Sequence, residues 1–562
     1  IPDNKSFKGR SELVLGKRDF DEEHIGQQEA CVSDLANDAS LDRSSYASLI
    51  RSCGDYEALE EGKKIHEHIL YYSKFATDTF LGNLLVQMYS KCGSFKDSLD
   101  VFRKIRHRNV YSWSLMLGAC VTHGKMLFAL SLFQSMHVEG IRPDKVVYVT
   151  ILDACVSKDY LNKGELLHAE IIESGFESDV YVGTSLVTMY GQCRSLDGSI
   201  RMFQKMHAQN VVTWNAVAAT YVQNGEYSKA LEFFWLMQLK NVTPSCISFL
   251  TILEACRKLE DGYSVHGYAC YFGFDSDALV STAFVTLYGK LGSLEDAREL
   301  FDKIKFKTII SWNTMIASYV QHGYCLEALE IFHLIEEEPI CPTPATFASV
   351  LSACAIEADL VEGQLAHDQI IIFAMDSDLL LLNALIDMYA KCGHLEDAQR
   401  IFNKMLQRDL FSWNVYIGAY ALYGKGKDAL LLLMRMTWEG VIPDRFTFYN
   451  ILSGCSHAGL ITEACLLFST MQLEHGIRST VEHYNCMIDL FGRLGKLDEG
   501  EDLIESMPIV PTISSWMSFL GACKMHMNVA KAENASYRLL NMNCRTAGPY
   551  VVLSHMLQLL SG

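Results

Sequence analysis

The chain has 562 residues, enough for several globular domains or for one long repeat array. Its formal net charge of −19 disfavours a nucleic-acid binder that depends on a basic surface, because Lys and Arg usually supply much of the affinity for phosphates. The 18 cysteines are spread without paired clusters, which favours free thiols in a reducing compartment over a disulfide scaffold. No apolar run approaches the roughly 18–20 residues of a membrane span, so no membrane partner is expected.

Residues 1–42 carry mixed charges and few aromatic side chains, and they lack any period. A segment of this composition cannot bury enough apolar surface to offset the cost of ordering it, so we expect a poorly ordered N-terminal lead-in. Because the first residue is Ile1 and not Met, we also expect the natural N-terminus and any targeting peptide to lie outside this sequence.

From residue 43 onward the sequence repeats itself. Tryptophans recur at intervals of 101, 98, 101 and 103 residues, at Trp113, Trp214, Trp312, Trp413 and Trp516. Each interval holds three kinds of segment, of about 35, 35 and 31 residues, which is the period range of helical repeat arrays. Fourteen such segments tile residues 43–512 without a gap. The segment 246–277 is three residues short, and we expect the deletion at its inter-helix turn.

Each segment has the pattern of two helices. In the segment that starts at Val211, one apolar stripe is interrupted at Gly225, a second stripe follows, and Pro244 is expected to end the second helix. The stripe residues are Trp214, Val217, Ala218, Tyr221 and Val222, then Ala230, Phe233, Phe234 and Met237. Neither helix can bury its stripe alone. The sequence therefore predicts an all-α fold, an α-solenoid superhelix of stacked helix-turn-helix repeats, with the tryptophans as core anchors.

The repeats resemble those of the pentatricopeptide repeat family of plant organelles, in the subclass whose P, L and S motifs alternate. The resemblance covers residues 43–512 through motifs such as VVTWNAV (P), TILDACVSKDYLNKGELLHAEIIESGFESD (L) and LIDMYAKCGHLEDAQRIFNKM (S). A constant period of 34, as in tetratricopeptide repeats, does not fit this alternation. Residues 481–512 resemble the family's S2 motif. Residues 513–562 resemble an E-like helical extension, with a first E motif over 513–546 and the chain ending inside a second E unit.

A small polar residue follows most of the repeated tryptophans, as Asn215 follows Trp214. A rotation of about 100° per residue takes Asn215 off the buried stripe, toward the expected concave surface. The residues allow two interpretations. The polar side chain reads a nucleobase, because an amide suits a pyrimidine and a small hydroxyl leaves room for a purine. Alternatively, it caps the start of the helix. The resemblance favours base reading, because in this family the fifth residue of the first helix and the last residue of a repeat address one RNA base.

The resemblance assigns nine residue pairs to base reading. They are Asn83 with Asn109 for C, Ser114 with Asp144 for G, Thr184 with Asn210 for A, Asn215 with Ser245 for C, Thr282 with Thr308 for no usual base, Asn313 with Thr343 for a pyrimidine, Asn383 with Asp409 for U, Asn414 with Asp444 for U, and Asn485 with Thr512 for a pyrimidine. The L repeats place Ala47, Val149, Leu250, Ala348 and Tyr449 at the fifth position, and we expect them to act mainly as spacers. The implied RNA is about C-G-n-A-C-n-n-Y-n-U-U-n-Y from 5′ to 3′, where Y is a pyrimidine and n is unread.

Other chemical motifs are weak. His168 and Glu170 match the H-x-E half of a zinc deaminase signature, but the P-C-x-x-C half has no counterpart in the sequence. Equivalent histidines and cysteines recur at fixed places in the repeats, which is typical of structural positions. They are His66, His168, His266 and His367, with Cys53, Cys155, Cys256, Cys354 and Cys455 in L repeats and Cys92, Cys193 and Cys392 in S repeats. We predict no catalytic site, metal, cofactor or small-molecule substrate.

The resemblance implies a sequence-specific adaptor for single-stranded RNA in a mitochondrion or a chloroplast. Its S2 and E-like end implies site recognition for organellar C-to-U RNA editing. The catalyst would be a DYW-type deaminase, either a separate partner or a domain outside this sequence, with editing accessory proteins as further partners. Two alternatives remain: RNA stabilisation, splicing or translation control by occupancy, and a peptide-binding scaffold like tetratricopeptide arrays, which the acidic charge favours.

Overall fold

A computed structural model describes residues 41–72, 75–155 and 157–542. The predicted lead-in, apart from Leu41 and Asp42, and the last twenty residues of the E-like extension lie outside these described residues. The chain forms two compact bodies, an N-terminal body that ends at Phe274 and a C-terminal body that begins at Asp275. In the described residues all regular structure is helical, with thirty α-helices and two short 3-10 turns, Lys158–Tyr160 and Phe274–Ser276.

The N-terminal body holds seven helix pairs. Their bounds are α1 Arg43–Asp55, α2 Leu59–Tyr72, α3 Thr79–Lys91, α4 Phe95–Lys104, α5 Val110–Thr122, α6 Met126–Val138, α7 Lys145–Leu152, α8 Leu161–Glu173, α9 Val180–Gln192, α10 Leu196–Lys205, α11 Val211–Gln223, α12 Tyr227–Leu239, α13 Cys246–Leu253 and α14 Leu259–Tyr271.

The C-terminal body holds eight helix pairs. Their bounds are α15 Ala278–Lys290, α16 Leu294–Lys303, α17 Ile309–Gln321, α18 Cys325–Glu337, α19 Pro344–Glu357, α20 Leu360–Ile372, α21 Leu379–Lys391, α22 Leu395–Lys404, α23 Leu410–Leu422, α24 Gly426–Trp438, α25 Arg445–Ala458, α26 Ile461–Leu473, α27 Val481–Arg493, α28 Leu497–Ser506, α29 Ile513–Met525 and α30 Val529–Asn541. Each repeat is thus an odd-numbered first helix followed by an even-numbered second helix, and α29 with α30 forms a fifteenth pair.

The two helices of a repeat pack differently within each body. First helices of consecutive repeats pack against each other, as α3 does against α5 and α23 against α25. A second helix packs against the first helix of its own repeat and of the next one, as α24 does against α23 and α25. The first helices therefore form a continuous row in each body. This arrangement is the predicted α-solenoid stacking.

The repeated tryptophans lie in the core, as predicted. Each packs edge to face on a phenylalanine from the preceding second helix, with ring centroids 4.9–5.0 Å apart. The four pairs are Trp113 with Phe102, Trp214 with Phe203, Trp312 with Phe301, and Trp413 with Phe402. These tryptophans are 0–3% exposed. Each one joins two consecutive repeats, which explains why the residue recurs at this place.

The boundary between two repeats differs from the prediction at Pro244. Helix α12 already ends at Leu239, where the Val242 N–H donates to the Met237 carbonyl and Asn241 adopts φ +56°. This turn satisfies the last carbonyls of the helix without proline. Pro244 instead precedes Ser245, the N-cap of α13. The prediction that Pro244 ends the helix was wrong.

The predicted deletion in the segment 246–277 is confirmed. Helix α14 starts at Leu259, thirteen residues after the start of α13 at Cys246. In the equivalent L repeat, α20 starts at Leu360, sixteen residues after the start of α19 at Pro344. Across the described residues, no helix combines the length and the hydropathy needed to cross a bilayer.

Candidate nucleic-acid interface

The predicted base-reading residues occupy two fixed places in the repeats. The first member of each pair is the fifth residue of a first helix, such as Asn215 in α11. The second member is the N-cap of the next first helix, such as Ser245 before α13. Helix capping therefore belongs to the last residue of a repeat and not to the residue after the tryptophan. The capping interpretation of Asn215 was wrong.

The N-cap residues start the first helices by accepting hydrogen bonds from exposed N–H groups. The Asn109 side chain accepts from the Ser112 N–H at 2.9 Å, and the Asp409 side chain accepts from the Ser412 N–H at 2.8 Å. The same place is taken by Asp144, Asn210, Ser245, Thr308, Thr343, Asp444 and Thr512. Residues that the resemblance assigns to base reading thus also hold the fold together.

Three P repeats bring their two predicted readers into direct contact. The amide Nδ2 of Asn215 donates to the Ser245 hydroxyl at 3.3 Å. The corresponding distances are 3.1 Å from Asn313 to Thr343 and 3.0 Å from Asn414 to an Asp444 carboxylate oxygen. Two side chains that are 30 residues apart in sequence therefore form one polar site. The fourth P pair, Ser114 with Asp144, makes no such bond in the described structure.

The Asp444 carboxylate sits in a network of donors. Burial raises the pKa of Asp444, whereas hydrogen bonds from Thr447, Asn414 and the Phe446 N–H lower it. The hydrogen bonds outweigh the burial, so the net pKa lies below the ordinary value. Asp444 is thus an anion at neutral pH and can only accept hydrogen bonds.

The S repeats hold their fifth residues differently. The hydroxyls of Thr184 and Thr282 donate to the carbonyls of Val180 and Ala278, at 2.7 and 2.6 Å. Where the fifth residue is asparagine, its amide oxygen is buried and has no partner in the described structure, as in Asn83, Asn383 and Asn485. The buried indole N–H groups of Trp113, Trp214, Trp312 and Trp413 also have no partner there, so these oxygens are a feature of the core and do not by themselves mark a ligand site.

The exposure of the fifth residues corrects the sequence prediction. Asn83, Asn215, Asn383 and Asn414 are only 3–9% exposed, although we expected them on an open concave surface. The close packing of consecutive first helices covers them. The other fifth residues are half-buried, namely Ser114, Thr184, Thr282, Asn313 and Asn485. Their N-cap partners are more open: Asn109, Asp144, Asn210, Thr308, Asp409 and Thr512 are exposed, and Ser245, Thr343 and Asp444 are half-buried.

A ladder of exposed apolar side chains was missed by the sequence analysis. Most first helices expose a large apolar residue at their second position, three residues before the predicted reader and so on the same helix face. In the N-terminal body these are Phe80, Tyr111, Val146, Tyr181, Val212 and Ile247, and in the C-terminal body Leu279, Ile310, Leu380, Phe411 and Phe446, with exposures from 38% to 70%. The signal was an apolar residue recurring outside the buried stripe.

One groove shows how these features combine. It has a volume of about 470 Å³, and its lining includes the second-position residues Phe411 and Phe446, together with Asn414, Tyr449 and Lys391. Two exposed aromatic rings and an amide in one groove can contact the face and the polar edge of a planar base.

The acidic charge is not distributed evenly over the helices. In the described part of the chain, the first helices carry nine Lys and Arg against five Asp and Glu, whereas the second helices carry 17 against 32. Eight first helices also have an Asp at the N-cap, which makes 13 acidic against nine basic residues, so the row of first helices is less acidic than the second helices but is not basic. This distribution weakens the objection that acidity raises against an anionic ligand.

The recurring histidines and cysteines make structural contacts. His168 Nδ1 lies 2.9 Å from the Tyr190 hydroxyl, while Glu170 accepts from the Tyr148 hydroxyl at 2.9 Å. Equivalent contacts join His66 to Tyr89 and His367 to Tyr389, and burial lowers the pKa of all three histidines.

Cysteine thiols also join an S repeat to the L repeat before it. The thiols of Cys92, Cys193 and Cys392 donate to the carbonyls of Cys53, Cys155 and Cys354, at 3.5–3.7 Å. Burial raises the pKa of Cys155 to about 11 and that of Cys354 to about 12, so both are neutral packing residues. Among the described residues, no three histidine, cysteine or acidic side chains gather as metal ligands.

Family models match much of the chain. The PPR repeat model matches residues 83–110, 184–211, 280–309, 310–340, 381–410, 411–441, 446–475 and 482–508. The PPR repeat family model matches 108–157, and the pentatricopeptide repeat domain model matches 208–258.

Similar proteins come from Arabidopsis thaliana. A chloroplastic pentatricopeptide repeat-containing protein is 33% identical over 91% of this chain and 64% of its own length. A second pentatricopeptide repeat-containing protein, named without a compartment, is 33% identical over 93% of this chain and 86% of its own length. A mitochondrial one is 33% identical over 92% of this chain and 51% of its own length. The chain thus spans about half to two thirds of the length of several relatives.

A solved structure has the same fold. The pentatricopeptide repeat protein PPR10, in complex with an 18-nucleotide psaJ RNA element, aligns with a TM-score of 0.59 at 16% identity, over 95% of this chain and 85% of that one. A second crystal structure, of PPR10 from maize, aligns with a TM-score of 0.56 at 15% identity, over 95% of this chain and 89% of that one. Together with the matched models and the extent of the relatives, this places the chain in the pentatricopeptide repeat family.

Proposed function

We propose that this chain is a sequence-specific adaptor that binds single-stranded RNA, with one base for each P or S repeat. The observation that carries the proposal is the contact between the fifth residue and the next N-cap in three P repeats. Paired polar side chains that recur once in a repeat offer one set of donors and acceptors for each nucleotide.

The ladder of exposed second-position residues supports the same function. Aromatic and aliphatic side chains provide stacking surfaces for any base, so they contribute affinity without sequence preference. The paired polar residues then contribute the discrimination. The row of first helices carries less negative charge than the second helices, so it is the part of the repeats that repels the RNA backbone least.

The proposed RNA follows from the nine pairs. It is C-G-n-A-C-n-n-Y-n-U-U-n-Y from 5′ to 3′, with n opposite the L repeats and opposite Thr282 with Thr308. Four of the fifth residues are buried asparagines, and their partners at the N-caps are more exposed. PPR10, a protein of the same fold, is described in complex with RNA.

The finer proposal is a site-recognition factor for C-to-U RNA editing in a plant organelle. It rests on the alternating P, L and S repeats, on the S2-like motif at 481–512 and on the E-like helices α29 and α30, and relatives are named chloroplastic or mitochondrial. A DYW-type deaminase, in trans or in a further domain, would supply the chemistry. This chain would contribute binding and positioning only.

An RNA gel shift tests the binding. The proposed 13-nucleotide RNA is compared with a copy scrambled only at the read bases, and both have the same composition. Tighter binding of the ordered RNA is expected. Equal binding of both RNAs contradicts base reading, and capture of a peptide in place of RNA supports the scaffold alternative.

Sequencing of organellar transcripts from a plant without this gene tests the editing role. Loss of editing at one site 3′ of the bound sequence is expected. Intact editing with a destabilised or unspliced transcript would contradict the editing role and favour action by occupancy.

A further inference from the structure

A third side chain completes the polar site in two P repeats. Thr447 is the third residue of α25, and its hydroxyl donates to the Asn414 amide oxygen at 2.6 Å. Thr346, the third residue of α19, makes the same 2.6 Å bond to Asn313. Both threonines belong to the capping boxes of their own helices and are buried. The contact therefore crosses from the L repeat back to the reader of the P repeat before it.

The network leaves Asn414 only one orientation. The ionised Asp444 can only accept, so the Asn414 atom that faces it at 3.0 Å must be the nitrogen. The oxygen then points at Thr447, whose hydroxyl supplies the donor. The opposite orientation would put the amide oxygen against the carboxylate. The partners of Asn414 therefore assign both its amide nitrogen and its amide oxygen.

The S repeats lack this third contact. Asn383 is 4% exposed and its amide oxygen has no partner in the described structure. The hydroxyl of Ser412, at the equivalent third position of α23, bonds to its own N-cap Asp409 at 2.8 Å. Here no hydrogen bond to a neighbouring repeat distinguishes one amide orientation from the other.

We propose that Thr447 and Thr346 are positioning residues that help to set the base preference of the preceding P repeat by holding the amide of its asparagine in place. This inference rests on the proposed function and deepens it. The preference of a repeat is then set by three residues, the third of which lies in the next repeat.

The chemistry of the bases explains the effect. With its orientation fixed, Asn414 offers its second N–H to a pyrimidine carbonyl, while Asp444 accepts from a base N–H. Uracil has a donor at N3, and cytosine has an acceptor there, so U is favoured over C. Without the Thr447 hydroxyl, the Asn414 amide oxygen loses its donor and the amide is held by Asp444 alone. Its second N–H is then less well directed at the pyrimidine carbonyl, and the two pyrimidines become more nearly equal.

The test compares two threonine variants of the full chain. Thr447→Val removes the hydroxyl with little change in shape, and valine is accommodated at this place, since Val147 is the third residue of α7. Thr213→Val is the matched control: Thr213 donates to the N-cap Asn210, and the fifth residue of the repeat before it, Thr184, bonds elsewhere. Both variants lose a contact to an N-cap residue, but only Thr447→Val also loses a contact to the fifth residue of the preceding repeat.

Binding is measured with RNAs that carry U or C at the nucleotide opposite Asn414, together with the melting temperature. We expect Thr447→Val to lower the U-over-C ratio about three- to tenfold, in line with the loss of one hydrogen bond, while Thr213→Val leaves the ratio unchanged. Both variants are expected to lower the melting temperature to a similar extent.

The outcomes separate the two proposals. Wild-type protein without a U-over-C preference overturns the proposed function and the positioning role with it. A wild-type preference that survives in Thr447→Val overturns the positioning role alone. An equal loss of preference in Thr213→Val shows a general effect of weakened capping and also overturns the positioning role.

Discussion

Two adjacent repeats carry the same predicted reading pair in different surroundings. The S repeat of α21 has Asn383 with Asp409, and the P repeat of α23 has Asn414 with Asp444; both pairs were assigned to U. In the P repeat the two side chains are hydrogen-bonded to each other at 3.0 Å. In the S repeat Asp409 accepts from the N–H and the hydroxyl of Ser412 in the helix that it caps, and the Asn383 oxygen has no partner in the described structure.

Two repeats with the same pair of residue types therefore differ in how those side chains are hydrogen-bonded. In the P repeat, Asp444 and Thr447 hold the Asn414 amide, whereas the Asn383 amide oxygen in the S repeat has no partner in the described structure. An ordered side chain loses less entropy on binding than a free one, so we expect the P repeat to lose less entropy when it binds a ligand.

Removal of the tryptophan that packs between these two repeats is expected to have the largest effect, which is on the free energy of unfolding. Trp413 lies between the two repeats and packs on Phe402 of the S repeat. Trp413→Ala should lower the free energy of unfolding by about 3–5 kcal/mol, measured by urea denaturation of the wild type and the variant. Trp438 is 89% exposed, and Trp438→Ala is the control, with an expected change below about 0.5 kcal/mol. Equal effects of both variants would contradict the anchor role.

Replacement of Asn414 and Asn383 compares the base preferences of the two repeats. Asn414→Ser should shift the preference of its repeat from U toward G, because a small hydroxyl leaves room for a purine. A change of about 1–3 kcal/mol in the difference between the U and G RNAs is expected, from binding titrations with each RNA. Asn383→Ser is the matched variant, with a smaller expected shift. Unchanged binding of both RNAs by Asn414→Ser would argue against base reading by this residue.

Removal of the carboxylates compares the two sites without RNA. Asp409→Ala and Asp444→Ala each remove an N-cap, which costs about 1 kcal/mol of stability. Asp444→Ala also leaves the Asn414 amide without its acceptor and should cost about 1 kcal/mol more. Thermal or urea unfolding of the two variants measures the difference. If both variants are equally destabilised, the contact between Asn414 and Asp444 contributes nothing to stability.

Lowering the pH is expected to produce the smallest effect, which is on the melting temperature. The native pKa of Asp444 lies below its ordinary value of 3.8, so the unfolded chain binds a proton more readily than the native one. The stabilisation by the carboxylate is thus complete above about pH 4 and is lost as pH falls through the lower native pKa. The difference in melting temperature between the wild type and Asp444→Asn should be constant from about pH 7 to pH 5 and should shrink below pH 4. A constant difference down to pH 3 would contradict the lowered pKa.

Much of the fold follows from the sequence because the repeats impose one pattern many times. The apolar spacing around Trp214 and the break at Gly225 predicted helices that the structure places at Val211–Gln223 and Tyr227–Leu239. The deletion in the segment 246–277 could be assigned to a turn because the helix patterns on either side of it were intact. Pro244 was misinterpreted because a helix can end through its own backbone bonds before a proline is reached.

The site was less predictable than the fold. A helical period tells which side of one helix carries Asn215, but not how closely the next first helix approaches that side. The burial of Asn83, Asn215, Asn383 and Asn414 depends on that approach. The contact from Thr447 to Asn414 joins residues 33 positions apart, so it requires the stacked geometry. The exposed ladder that includes Phe411 and Phe446 was visible in the sequence as misplaced apolar residues.

The double role of the N-cap residue restricts how such a protein changes its target. The side chains that start a helix well are Asn, Asp, Ser and Thr, and all nine second members of the pairs belong to this set. Exchange within the set alters donors and acceptors while the helix start is preserved. On the proposed function, a repeat acquires a new base with little loss of stability, and lineages can drift among RNA targets along a path on which every intermediate folds.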